Sequence, residues 1–513
     1  MTSAHYDIIL IGAGLSGIGT ACHITATHPE KSIAILERRE RMGGTWDLFR
    51  YPGIRSDSDM ASFGYTFKPW YSDKVLARGE DIRHYVADTA RQFGLQDKVQ
   101  YGLNILRANW SGERQRWSLT AVHESSGEER TFTCNFLVNC AGYYNFDQGY
   151  HPRFDGEEAF AGPVIHPQHW PEDLDYTGKK VVVIGSGATA VTIVPAMADR
   201  AASVTMLQRS PSYIMALPDL DRLSMALGRV LPRRWVFRLA RQRNILFQRA
   251  LYLACMRWPN AMRRFMLDHM RKRLGPDVDM RHFTPAYSPW EQRLCAAPDG
   301  DFFEAVRSGK ADVVTDHIDH FTEQGIVLKS GKELQADIII AATGLDLQLM
   351  GGLEIRLDGE PVDLTRKMTY KGMMMQDVPN YAWIFGYTNA PWTLKCDIGG
   401  QYLCRLFRHM AQHNLAVARP VDIRGTDASD GMLDGFTPGY ISRARDRMPR
   451  QGKTGPWRVT MHYGKDRRML LKEPVDDGVL SFETPPGNAR HALVSEAGSY
   501  GWHSAEDSTG HVP

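Results

Sequence analysis

The sequence predicts an α/β protein built on two parallel, doubly wound sheets, and three observations predict it. Residues 7–37 read as strand, glycine-rich turn, helix and strand. The same unit opens again at Lys180-Val-Val-Val-Ile-Gly185. A third apolar strand, Ala336-Asp-Ile-Ile-Ile-Ala341, ends in Ala342-Thr343-Gly344. Strands that alternate with helices suit the crossover connections that parallel pairing requires. With 513 residues, the chain is too long for one ordinary core, so two or three domains are expected.

Each element follows from its pattern. In the first unit, residues 6–11 form the buried strand, 16–27 the helix and 32–37 the second strand. In the second, a helix at 190–198 leads to the strand Ser203-Val-Thr-Met-Leu207. The pattern then changes. Residues 211–285 hold fifteen Arg and Lys against five Asp. Trp235, Leu239, Leu246 and Ala250 recur at helical spacings there, so a mainly helical insertion is expected. It reads either as a solvated basic face or as a peripheral contact for an anionic membrane. The expected division is 1–145 for a first dinucleotide-binding unit, 146–210 for linker and second unit, and 211–289 for the insertion. Residues 290–335 then return to the second unit, 336–483 return to the first, and 484–513 read as an unstructured tail rich in Gly, Ser, His and Pro.

A hydrophobic content of 43% and a charged content of 23% are those of a soluble globular protein, and a net charge of +2 gives no global reason to expect nucleic acid. The seven cysteines are scattered without CxxC spacing, which points to reduced, buried thiols rather than a disulfide frame or metal cluster. The apolar run after Asp7 is too short for a signal-peptide core and no stretch approaches a membrane span. A cytoplasmic protein is expected, with peripheral membrane association open through the basic insertion.

The first turn is Gly12-Ala-Gly14-Leu-Ser-Gly17, between a strand and a helix. Its glycines serve the tight turn, the approach of backbone to a pyrophosphate, and close helix–strand packing. The helix N-terminus offers free N–H groups to the phosphates. Glu37 lies at the end of the next strand, where a carboxylate can bind both ribose hydroxyls. The second turn, Gly185-Ser-Gly187-Ala-Thr189-Ala190, is followed at its strand end by Gln208-Arg209-Ser210, without an acid. Arginine suits a 2′-phosphate, to which its fork donates paired charge-assisted bonds. An acid-ended and an arginine-ended fold on one chain point to FAD first and NADPH second, in two Rossmann-like domains.

Between the turns lies Phe160-Ala-Gly162-Pro-Val-Ile-His166-Pro-Gln-His-Trp170-Pro171. This FxGxxxHxxxW spacing followed by Pro resembles the fingerprint of type I Baeyer–Villiger monooxygenases; relatives that oxidise N and S atoms end it with a different aromatic. Gly43-Gly44-Thr45-Trp46, followed by Tyr51-Pro-Gly53 and Asp57, is similar to that family's second FAD-contacting segment. The resemblance runs from Asp7 to about Asp476, and in detail looks closest to the ethionamide-activating branch. His166 and His169 are three apart, but Pro167 breaks a helical presentation and no third ligand sits near, so no metal site is expected. The resemblance implies that His166 couples domain movement to cofactor use; a plain hydrogen-bonded linker histidine is the alternative. The odd spacing of His317 and His320 in a strand or loop points their rings to opposite faces, as surface residues.

The resemblance also implies the chemistry: FAD, NADPH and O2 give a C4a-peroxyflavin that converts ketones to esters or lactones, with sulfides as further substrates. A peroxide anion in a dry site needs a fixed positive partner. The resemblance places that partner at Arg293 and its orienting carboxylate at Asp57. Spacing alone selects neither: Asp57 also reads as a turn-capping acid, and Arg293 as a surface ion pair. Gln292 departs from the family's lysine, which leaves more of the 2′-phosphate recognition to Arg209. Tyr387-Thr-Asn-Ala-Pro-Trp392 precedes an expected helix whose positive end would favour a reduced flavin. Met373–Met375 read as core filling rather than substrate pocket. Competing functions are an S- or N-oxygenating flavin monooxygenase and a membrane-attached redox sensor without turnover. A dithiol reductase would need a paired cysteine where Gly43–Trp46 stands.

Overall fold

The computed structural model describes residues 4–486 except 293, 427 and 434–437. Arg293 and most of the tail, 487–513, therefore lie outside the described residues.

The apolar run after Asp7 forms the strand Ala4–Ile11, flanked in parallel by Ile33–Leu36 and by Glu129–Asn139. The helix Leu15–Thr27 crosses between the first two. Chain order thus reverses at the end of Ala4–Ile11, which opens a crevice there of the kind that takes dinucleotides. This sheet is mixed rather than wholly parallel. Leu103–Ser111, Arg116–His123 and Glu129–Asn139 form an antiparallel meander, because the short turns joining them leave no room for a crossover. Glu354–Leu357 and Tyr381–Trp383 complete it from far along the chain. Met373, Met374 and Met375 are fully buried within its cores.

The second sheet is parallel throughout. Its order is Ala311–Thr315, Ser203–Gln208, Lys180–Ile184, Ile338–Ala341, Val164–Ile165. Ile338–Ala341 pairs with Lys180–Ile184, residue for residue. The expected return to the first unit at 336 is therefore corrected: this all-apolar strand completes the second sheet, and the chain leaves only after Ala341. The edge strand Val164–Ile165 comes from the linker fingerprint itself.

The insertion begins with the strand Ile214–Leu217, paired with Cys295–Pro298. It continues as the helices Arg222–Leu227, Arg233–Arg257 and Pro259–Leu274. The long helix buries Val236, Phe237, Ala240 and Arg241. Its apolar stripe is a different face: Trp235 is 47% exposed, Leu239 49% and Leu246 67%. The periodicity that marks this helix in the sequence thus belongs to its outer surface. Arg241 fastens the inner face, donating to the carbonyls of Ala61, Ser62 and Gly64 at 3.2, 3.0 and 2.6 Å, and pairing with the buried Asp397 at 3.4 Å. No helix among the described residues is long and apolar enough to cross a membrane.

Candidate active site

The two glycine-rich turns sit at equivalent places in their sheets. Gly12 takes φ 97°, and a Cβ there would stand 2.8 Å from the carbonyl oxygen of Cys140 on the neighbouring strand end. Gly185 takes φ 134°, with the Ala342 carbonyl 2.3 Å from the same notional atom. In each case two parallel strand ends close on a turn that only glycine can form. Gly17 has a different role: its Cβ would lie 1.8 Å from the Gly12 carbonyl oxygen, so it seats the helix on the turn. Gly187, by contrast, faces open space.

A cavity of about 850 Å³ runs from the first turn. Gly12, Gly14 and Glu37 line one part of it, Gly44, Thr45, Trp46 and Asp57 another. The Glu37 carboxylate is buried, accepting from the Ala13 N–H at 2.6 Å and the Arg39 N–H at 2.9 Å. Burial raises its pKa, and those hydrogen bonds work against the rise. The turn and Glu37 are thus already bonded as one unit. These residues fit a flavin dinucleotide: a glycine cradle continuous with a cavity of cofactor size and an acid at the strand end. The helix Trp392–Gln412 begins at the cavity wall, where the Trp392 indole donates to Ser16 Oγ at 2.8 Å and stacks on Tyr143 at 5.0 Å.

Asp57 is exposed on the same wall and accepts from Ser58 Oγ at 3.4 Å. Trp290 and Leu294, on either side of Arg293, also line it. Trp290 has the left-handed φ of 74°, which is uncommon for a bulky residue.

The second turn lies outside this cavity's lining. Ser186 Oγ donates to the Ser210 carbonyl at 2.8 Å, which ties the turn to the strand end that carries Arg209. Arg209 is exposed and makes no ion pair among the described residues. Thr189 is hydrogen-bonded to the buried Tyr51, whose hydroxyl is pushed up to about 12 by burial. Tyr51 and Gly53 thereby pack the first unit's loop on the second unit's helix, where a Gly53 Cβ would meet Ala196 at 2.8 Å.

The fingerprint residues sit together in the linker. Phe160 is buried beside Phe321. A Cβ on Gly162 would stand 2.2 Å from the Asp337 carbonyl oxygen. Nδ1 of His166 accepts from the Gln168 N–H at 3.2 Å, which leaves Nε2–H to donate to the Gly344 carbonyl at 3.0 Å. Burial lowers the pKa of this ring, with the Gly344 bond opposing. Trp170 packs half-buried against the second unit's core. His169 instead approaches the Asp147 carbonyl at 3.0 Å, and His320 pairs with Asp319 on the surface.

Sequence reasoning missed two clusters. Asp47 is fully buried, with Arg39 at 3.0 Å, Arg50 at 2.5 Å, Arg41 at 3.5 Å and Arg83 at 3.8 Å around its carboxylate. Asp59 caps the helix Met60–Phe63 and accepts from Asn244 and Gln248 of the insertion, both at 2.6 Å. The cap at Asp59 could have been read from Asp59-Met-Ala-Ser62. The partners across sequence could not.

The flavin-binding monooxygenase-like family model matches residues 6–350. The chain is 60% identical over 482 residues to a Mycobacterium tuberculosis protein designated FAD-containing monooxygenase MymA, covering 93% of this chain and 97% of that one. It is 49% identical over 488 residues to the FAD-containing monooxygenase EthA of the same organism, covering 94% and 98%. Among solved structures, an oxidised steroid monooxygenase bound to NADP superposes with a TM-score of 0.76 at 20% identity, over 94% of this chain and 100% of that one. Cyclohexanone monooxygenase with bound ε-caprolactone gives 0.66 at 20% identity, over 82% and 90%. At such identity these likenesses speak for the fold.

Proposed function

Because the chain belongs to the flavin-binding monooxygenase-like family, we propose that it is an FAD- and NADPH-dependent monooxygenase that uses O2 to convert ketones to esters or lactones, and that it also oxidises sulfides. The observation that carries this reading is the continuity of one cavity from the Gly12–Glu37 cradle to the wall bearing Asp57, Trp290 and Leu294. The relatives named as FAD-containing monooxygenases support the cofactor. NADPH is supported by Arg209 beside the second turn and by the NADP-bound steroid monooxygenase of the same fold.

Bound FAD, once reduced, supplies the activation of O2. The chain's own residues do the rest. Gly12, Gly14, Gly44, Thr45 and Trp46 hold the flavin nucleotide, and Glu37 its ribose. Gly185, Gly187, Thr189, Arg209 and Ser210 hold NADPH. Arg293 keeps a permanent positive charge at the reacting centre, and Asp57 orients it. The Trp392 end of its helix adds a positive dipole to the same wall. Peripheral membrane contact through the insertion is part of this reading. It is supported by exposed Trp235, Leu239 and Leu246 among arginines.

The test is product analysis. FAD-loaded protein, NADPH and air should turn a ketone panel into esters with one NADPH consumed per product. Arg293→Ala should abolish ester formation while FAD stays bound. NADPH oxidation that yields hydrogen peroxide alone would overturn the reading in favour of an oxidase or sensor.

A further inference from the structure

A second cavity, of about 910 Å³, lies between the insertion's long helix and the helices Trp392–Gln412 and Tyr463–Leu471. Its wall is largely apolar, with Phe67, Phe237, Ile245, Leu394, Ile398 and Leu471. Besides Arg241, which is held by Asp397, four arginines line it: Arg234, Arg238, Arg249 and Arg467. None of the four makes an ion pair among the described residues. Arg238 and Arg249 rest instead on the rings of Trp235 and Tyr252, at 5.3 and 5.7 Å. Asp397 is the one acid on the wall among the described residues; it is paired with Arg241 and hydrogen-bonded to His23 and the Thr66 N–H. Gln248, Asn389 and Ala390 line this cavity and the first alike, so they form a shared partition.

From this geometry we infer that the second cavity is a binding site for an anionic amphiphile. Its carboxylate or phosphate head lies among Arg234, Arg238 and Arg467, and its apolar chain runs along the wall past Arg249 toward the Gln248–Asn389 partition. Unpaired guanidinium groups at the rim of an apolar cavity complement a ligand that has both parts and no other. Arg234 and Arg238, one turn apart on the helix, repel each other, and an anion relieves that repulsion. The site gives the proposed monooxygenase its substrate class: a carbonyl or sulfide carried on an apolar chain with an anionic head. That last step rests on the first cavity being the flavin site.

The experiment titrates FAD-loaded protein with cis-parinaric acid, whose fluorescence rises on entering an apolar site. The same head-and-chain chemistry is also presented as phosphatidic acid in phosphatidylcholine vesicles, to separate a soluble source from a membrane one. Binding in either arm should weaken by about tenfold or more in Arg238→Glu and in Arg467→Glu, and in Ile245→Trp, which fills the cavity. Parinaric acid methyl ester should bind at least about tenfold more weakly than the acid. Absence of binding in both arms, unchanged affinity in the three variants, or equal affinity for acid and ester would each overturn the proposal. Flavin absorbance recorded on the same samples separates the two readings: a protein that binds parinaric acid but holds no FAD counts against the first cavity and not the second.

Discussion

His166 uses both ring nitrogens, one to accept from its own linker and one to donate to the Gly344 carbonyl at the exit of the second sheet. Only the neutral ring can do both. Its pKa is lowered by burial from the ordinary 6.5, so the unfolded chain binds the proton more readily than the folded one. The stability carried by the neutral ring is therefore complete above pH 6.5 and is lost as pH falls from there toward the folded value. Denaturant melts of wild type and His166→Gln between pH 7 and pH 5 should show the steeper decline in wild type; parallel declines would remove the assignment. The residue scale is also where the sequence was least informative. Arg293 and Asp57 could be selected only through resemblance, because neither spacing nor composition distinguishes a reacting pair from a turn cap and a surface ion pair. The Asp47 cluster was invisible for a related reason: Arg83 reaches it from another helix, and only folding brings the four arginines to one carboxylate.

At the scale of elements, the two glycine-rich turns separate stability from binding. Gly17→Ala would force a methyl group into the Gly12 carbonyl, 1.8 Å away. Backbone cannot rotate aside as a side chain can, so the loss should reach at least the upper part of the ~1–3 kcal/mol usual for overpacking. The variant should also be purified depleted of flavin. Gly187→Ala meets nothing within 4 Å and should melt within about 0.5 kcal/mol of wild type while raising the NADPH requirement several-fold. Equal melting of the two variants would refute this division. These strands and helices were legible in the sequence because buried parallel strands are continuous apolar runs and their turns require glycine. The strands of the antiparallel meander alternate buried and more exposed residues and have no such continuous apolar runs.

Over the whole molecule, the insertion bridges the two units rather than hanging from one of them. It pairs a strand with Cys295–Pro298, buries Arg241 against the first unit and carries part of the first cavity's wall on Asn244, Phe247 and Leu251. Its outward stripe of Trp235, Leu239 and Leu246 should hold the protein on phosphatidylglycerol vesicles at low salt and release it as salt screens the arginines. Sedimentation with vesicles should fall by about tenfold for Trp235→Glu with Leu246→Glu, since buried apolar area drives interfacial binding. No binding at low salt would end the membrane reading. Sequence analysis recognised the helix but not the direction its stripe faces, because a period of three to four reports amphipathicity and not which neighbour covers it. The strand at Ile338–Ala341 was likewise recognised and assigned to the wrong sheet, because pairing across long connections leaves no mark on local pattern.

All seven cysteines are buried, and burial raises several of their thiols, Cys22 and Cys396 to about 12 and Cys255 to about 11. A thiol must be both ionised and reachable to be alkylated. The native chain should therefore react slowly with maleimide dyes, and a single cysteine engineered on the outward stripe should take up label first. The scaffold is ready for site-specific spectroscopy without first removing its own sulfur.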